Sequence, residues 1–158
     1  MEGLVICRPT EEDIAAACEI AVEVYVPIRE VFRKELSDEL YEAFFTGWQD
    51  NKRAAVAADL REPTGYVTKL NGEVVGFISY IVHGDKGEIR NNAVANAHRG
   101  KGIGGIQYEF VFQKMREEGA QYATVFTGGD DGHAPARRAY EKAGFEAFLP
   151  HRTYYKKL

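Results

Sequence analysis

The sequence predicts an α/β domain built on one mixed, mostly antiparallel sheet flanked by helices, and three observations carry that prediction. Two strand candidates, Gly65 to Leu70 and Glu73 to Val82, flank Asn71-Gly72, the pair a two-residue hairpin turn prefers because both central residues need positive φ. A third candidate, Glu88 to Ala95, follows the turn His83-Gly84-Asp85-Lys86-Gly87, so three tightly joined neighbours run antiparallel. A glycine loop and a helical stripe then lead to the apolar run Tyr122 to Thr127, and such a crossover returns the chain parallel.

The remaining elements follow in order. Leu4-Val5-Ile6-Cys7-Arg8-Pro9 reads as a first strand stopped by its proline. Thr10 is placed to cap a helix whose first turn holds Glu11, Glu12 and Asp13, where the dipole favours negative charge. The stripe Ile14, Ala17, Cys18, Ala21, Val22, Tyr25 carries this helix to about Tyr25, and Pro27 is expected to end it. Ser37 caps a second helical stretch with Leu40, Phe44, Phe45 and Trp48 on one face, extending to about Leu60. After the glycine loop, Ile103, Ile106, Phe110, Val111 and Met115 define one face of a helix to about Glu118. Pro135 suits the first turn of a last helix; Ala139, Tyr140 and Ala143 face inward, and Gly144-Phe145 ends it. Strands at about Phe145 to Pro150 and Arg152 to Lys157 are expected to close the sheet.

At 158 residues, residues 1–158 are expected to form one domain with a sizeable core. Its longest apolar run, Val74 to Val82, is strand-sized, so no membrane partner is expected. No basic-then-apolar segment opens the chain, and Cys7 and Cys18 lack metal or disulfide spacing, so a cytoplasmic protein with reduced thiols and no metal is expected. A net charge of −4 argues against nucleic acid as the main partner.

The motif with most chemical content is Arg99-Gly100-Lys101-Gly102-Ile103-Gly104, followed by Gly105. A glycine loop between a strand and a helix N-terminus turns backbone N–H groups toward one point and cradles an anion such as a pyrophosphate. Two patterns match. Gly100, Gly102 and Gly105 satisfy G-x-G-x-x-G, whereas Arg99, Gly102 and Gly104 satisfy R-x-x-G-x-G. The dinucleotide pattern needs its glycines tight against a buried parallel strand and a second mononucleotide half. Here Asn96 to Arg99 intervene, hairpin strands lie upstream, and only 53 residues follow Gly105.

The order of elements, the R-x-x-G-x-G loop, the segment Glu88-Ile89-Arg90-Asn91-Asn92-Ala93-Val94 and the segment Ala136 to Phe145 together resemble the GNAT superfamily of acetyl-CoA-dependent N-acetyltransferases over essentially the whole chain. The last segment is similar to the family's N-x-x-A-x-x-x-Y-x-x-x-G-F, with His133 standing where the family has asparagine. The resemblance implies acetyl-CoA as co-substrate, its pyrophosphate on the N–H groups of Arg99, Gly100, Lys101, Gly102, Ile103 and Gly104, and its pantetheine arm beside Ala93 and Val94. It implies that a splayed strand leaves the Val94 N–H free for the oxyanion. His133 would contact the donor arm, since a histidine can also donate a hydrogen bond.

The resemblance makes Tyr140 the general acid for the departing thiolate; spacing alone favours a core tyrosine. It makes Glu88 the base that deprotonates the amine through water, against the plain reading of an exposed strand-end carboxylate. His83 is a second candidate base or substrate contact, or simply a turn histidine. For the acceptor pocket, Tyr25, Phe32 and Phe45 combine with Glu30, Glu35, Asp38 and Glu42, an aromatic and acidic wall or a solvated helix face. The activity implied is direct acetyl transfer to a primary amine of a small molecule or protein through a ternary complex. The rival is a non-catalytic acyl-CoA-binding or sensor domain. The resemblance also raises a homodimer, with Tyr154 and Tyr155 either at its interface or in the core.

Overall fold

The computed structural model describes residues 2–158. Five strands lie side by side in chain order: β1 (Leu4–Cys7), β2 (Gly65–Leu70), β3 (Glu73–His83), β4 (Lys86–Val94) and β5 (Tyr122–Val125). The first four are antiparallel, and β5 runs parallel to β4. Asn71 and Gly72 close the β2–β3 hairpin with φ of 51° and 91°, the two positive values its turn requires.

Helices cover both faces. On one side α1 (Glu11–Glu35) and α3 (Trp48–Arg61) press Ile14, Ala17, Ala21, Val56 and Leu60 onto Val67, Phe77 and Ala93. On the other, α4 (Ile103–Glu117) and α5 (Ala134–Lys142) pack Tyr108, Val111, Met115 and Tyr140 against Ile78, Tyr80 and Ile89. Phe77 and Ile78 go to opposite cores, the period-two alternation of a strand buried on both faces. Gly76 leaves room on β3 for Gln107 of α4, whose Nε2 donates to Thr68 Oγ1 of β2 at 2.8 Å.

Four expectations are corrected. Helix α1 does not end at Pro27 but continues for two more turns. Pro27 and Glu23, whose carbonyl loses its partner, are both exposed, so water replaces the missing bond, and packing of Ile28 and Phe32 holds the second half. The second helical stretch is two helices, α2 (Asp38–Phe45) and α3, parted where Gly47 turns left-handed at φ 74°. Ile106 is 40% exposed, because the inward face of α4 runs through Ile103, Gln107, Tyr108, Val111 and Met115 and leaves Ile106 outside it. The two C-terminal strands do not form. Beyond Gly144 (φ 94°) the chain leaves the sheet, Phe148 is 86% exposed, and Tyr155 packs on Phe44 and Phe45 of α2 while Tyr154 faces solvent.

Candidate active site

The site begins with two irregularities of β4. Between Tyr80 and Ile78, β3 advances two residues while β4 advances three, from Ile89 to Asn92. This bulge turns both Ile89 and Asn92 toward α4 and α5, and leaves Arg90 and Asn91 on the α3 side. Asn91 is locked there: its N–H donates to Ser79 Oγ at 3.0 Å and its Nδ2 to Asp59 Oδ2 at 2.7 Å. The second irregularity is a gap. Parallel pairing with β5 ends at Ile89↔Val125, yet β4 runs on to Val94. Ala95 N–H donates to Val75 C=O at 2.9 Å, so the alternation of the antiparallel ladder turns the Val94 N–H away from β3, into the gap.

The glycine loop closes the same end of the gap. After a 3₁₀ turn at Asn96–His98, Gly100 and Gly102 take φ of 75° and 82°, a left-handed geometry that costs glycine least. Gly102 caps α4 without a side chain, so the N–H groups of Ile103, Gly104 and Gly105 are left without a capping partner. A Cβ on Gly100, Gly102 or Gly105 would meet nothing within 4 Å. Ile103 is buried and anchors the loop, offering only its backbone outward, while Lys101 Nζ folds back onto Ala97 C=O at 3.1 Å. The result is an open, positive concavity of backbone donors.

Tyr140, on α5, lies across the bulge. Its hydroxyl donates to Asn92 Oδ1 at 3.1 Å, and Asn92 Nδ2 donates in turn to the Tyr108 hydroxyl at 2.9 Å. Burial pushes both phenols up, Tyr108 to about 12 and Tyr140 well beyond the ordinary tyrosine range, with the neighbouring Tyr108 adding to the effect on Tyr140. Both stay protonated at neutral pH. His133 sits two helical turns before Tyr140, its Nδ1 bonded to Asp130 Oδ2 at 2.6 Å. Because a carboxylate can only accept, Nδ1 donates this hydrogen bond, which fixes the ring's orientation. The ring lies edge-on to Tyr25 and beside Phe32 of α1, at 6.5 and 6.3 Å.

Tyr25 and Phe32 belong to a wall on the α1–α3 side. Lys52 Nζ stands 3.8 Å from the Tyr25 ring centre and donates to Asn91 Oδ1 at 2.7 Å. Of the expected acids, Glu30, Glu35 and Asp38 are exposed, and Glu42 lines a hollow with Phe45 and Trp48 but has its charge taken by Arg33 at 2.6 Å. Among the described residues, the wall's charges without an acid on them are cationic, Lys52 and Arg29.

Of the residues named from sequence, Val94, the loop, Tyr140, His133, Tyr25 and Phe32 surround one region. Ala93 is buried and faces the α1 core. Glu88 is exposed further back on β4, its nearest cation Arg90 Nε at 4.0 Å. His83 pairs with Lys86 at the opposite end of β4 from the loop and takes no part in the cluster. Asn92, Tyr108, Lys52 and Arg29 join the site from the structure alone. The polar doublet Asn91-Asn92 inside a buried strand was the available signal for the first.

Residues 29–145 match the Acetyltransferase (GNAT) family. Streptothricin acetyltransferase of Streptomyces lavendulae is 31% identical over 63% of this chain and 52% of its own length. Mycothiol acetyltransferase of Corynebacterium efficiens is 34% identical over 70% of this chain and 38% of its own. The chain thus spans about half, or little more than a third, of these curated relatives. Among solved structures, the PaiA N-acetyltransferase of Thermoplasma acidophilum in complex with coenzyme A superposes with a TM-score of 0.70 at 15% identity, covering 90% of this chain and 89% of that one. The chain belongs to the GNAT family of acetyltransferases.

Proposed function

We propose that the chain transfers the acetyl group of acetyl-CoA directly to a primary amine while both are bound. The observation that carries this reading is the β4–β5 gap, with the backbone donors of the glycine loop at one end and the Tyr140 hydroxyl at the bulge. The loop N–H groups from Arg99 to Gly104 hold the pyrophosphate, and the pantetheine arm lies along the free edge of β4 at Val94, since the backbone of Ala93 is turned to β3. His133 contacts that arm through Nε2, the ring nitrogen not engaged by Asp130. The coenzyme A held by a fold neighbour supports the donor's identity.

The amine must reach the site unprotonated, because an alkylammonium has no lone pair and a pKa near 10. Glu88 takes that proton through water. The amine nitrogen then bonds to the thioester carbon, and the oxyanion meets the Val94 N–H. As the C–S bond breaks, the nitrogen gives up its second proton to water, and the departing thiolate accepts a hydrogen bond from Tyr140 and is protonated by solvent on release. Between an ordinary phenol and an ordinary thiol there are ~1.5 pKa units, so full proton transfer is uphill by about 2 kcal/mol. Tyr140 therefore acts as a hydrogen-bond donor that keeps its proton.

Direct transfer is supported by where the thiols lie. Cys7 is on β1, three strands or ~14 Å from β4 at ordinary strand spacing. Cys18 is buried in α1, bonded to Arg53 C=O at 3.3 Å, and burial pushes its pKa up. Neither is placed as an acetyl carrier.

Replacing Tyr140 with phenylalanine should lower kcat by ~10²-fold or more with little change in acetyl-CoA KM. Thiol release from acetyl-CoA in the presence of an amine panel reads this. Unchanged turnover removes Tyr140 from the mechanism. Coenzyme A binding without turnover of any amine points to the non-catalytic sensor domain.

A further inference from the structure

Arg29 of α1 has the least compensated charge in the wall beside the bulge. Its Cζ lies 5.9, 5.2, 4.7 and 5.4 Å from the ring centres of Tyr25, Phe32, Phe45 and Trp48. Its Nε is fully buried with no hydrogen-bond partner, and the ionisable groups that bear on it are the phenols of Tyr25, Tyr41 and Tyr155 rather than any carboxylate. Among the described residues it forms no ion pair. Every other arginine paired in the α1–α3 layer has an acid on it: Arg33 with Glu42, Arg53 with Glu19 and Arg61 with Glu11.

Aromatic faces attract a guanidinium but offer no acceptor to its in-plane N–H groups. A half-buried cation held this way is short of one partner, an oxyanion in the guanidinium plane. The position says which molecule brings it. Tyr25, one of the four rings, also carries Lys52, which donates to Asn91 of the bulge, and it packs on His133. Arg29 is therefore one side chain removed from the place where acetyl transfer would occur. A polycationic amine would meet two like charges here.

We infer that the amine acceptor carries a carboxylate, bound by the Arg29 guanidinium inside the Tyr25–Phe32–Phe45–Trp48 wall, with its amine toward the β4 bulge. The planar fork of Arg29 matches a planar carboxylate, and the rings accommodate an apolar side chain between the two polar ends. The inference rests on the acetyl-transfer reading above.

Trp48 is the only tryptophan in the sequence, so its emission reports on Arg29. With coenzyme A present, the wild type, Arg29→Met and Arg29→Lys are titrated with N-acetyl-L-phenylalanine, its carboxamide and inorganic phosphate. The expected result is a saturable change with the carboxylate alone, weakened about tenfold in Arg29→Lys and lost in Arg29→Met. Coenzyme A should raise Tm equally in all three proteins, which shows that the variants fold and keep the donor site. A carboxamide response equal to the carboxylate's, a response that survives Arg29→Met, a response to phosphate alone, or no response in protein that coenzyme A stabilises overturns the inference. Failure of coenzyme A to stabilise the wild type instead overturns the acetyl-transfer reading, and the inference with it.

Discussion

Asn92 shows how much one residue decides. It accepts from Tyr140 and donates to Tyr108, so a single amide fixes two buried phenols. Asn92→Ala leaves both hydroxyls without that partner, at a cost of about 1–3 kcal/mol in stability, measurable as a lower urea midpoint. It should also raise acetyl-CoA KM less than it lowers kcat, because it acts by aiming Tyr140. The raised phenol pKa values fix a pH prediction. A group whose pKa is raised by folding adds stability below its unfolded value, near 10, and loses it as pH rises through the folded value, about 12 for Tyr108. No activity loss below pH 10 should therefore come from these tyrosines. A limb lying lower that moves in Glu88→Gln identifies the base; an unmoved limb removes Glu88. Tyr140 was singled out by the resemblance of the Ala136 to Phe145 segment, not by its spacing. Its partner was not, because the bulge reverses which face Asn92 occupies, and no one-dimensional pattern encodes that reversal. Arg29 was hidden for a different reason. A helix read as ending before Pro27 puts residues 28–35 on no face at all.

Among the elements, α1 makes the point most clearly. A proline inside a helix forfeits one hydrogen bond and costs ~3 kcal/mol relative to alanine. The packing of Ile28 and Phe32 outweighs it. Pro27→Ala restores the N–H to Glu23 C=O while losing the restraint proline places on the unfolded chain, worth ~1 kcal/mol. The net expectation is a gain of about 1–2 kcal/mol, seen as a higher Tm. Gly76→Ala should go the other way. Its Cβ would stand 2.6 Å from Ala93 O and 2.7 Å from Gln107 Nε2, and the Ala93 contact is backbone of β4 itself. A loss of about 1–3 kcal/mol in chemical denaturation is expected from such overpacking. The hairpin, the crossover and the Thr10 and Ser37 caps were all readable, because each depends on local residue chemistry: positive φ at Asn71-Gly72, or an oxygen at a helix start. The helix joint at Gly47 and the failed C-terminal strands depend on tertiary context, which periodicity does not carry.

For the whole molecule, two cores on opposite faces hold one sheet, and the sheet is left incomplete where β5 departs. In the function proposed here, that incompleteness is the functional feature. Backbone edge that would ordinarily pair is instead presented to the gap, beside a loop of unpaired donors and a buried phenol. A ligand that fills this edge should stabilise the entire fold, because both cores meet at β4. The measurement that tests this most directly is thermal melting with acetyl-CoA and, in parallel, NADH. At a hundred times Kd, acetyl-CoA should add about 2.7 kcal/mol and raise Tm by several degrees, with NADH silent. No shift with acetyl-CoA, or a shift with NADH alone, would contradict the account.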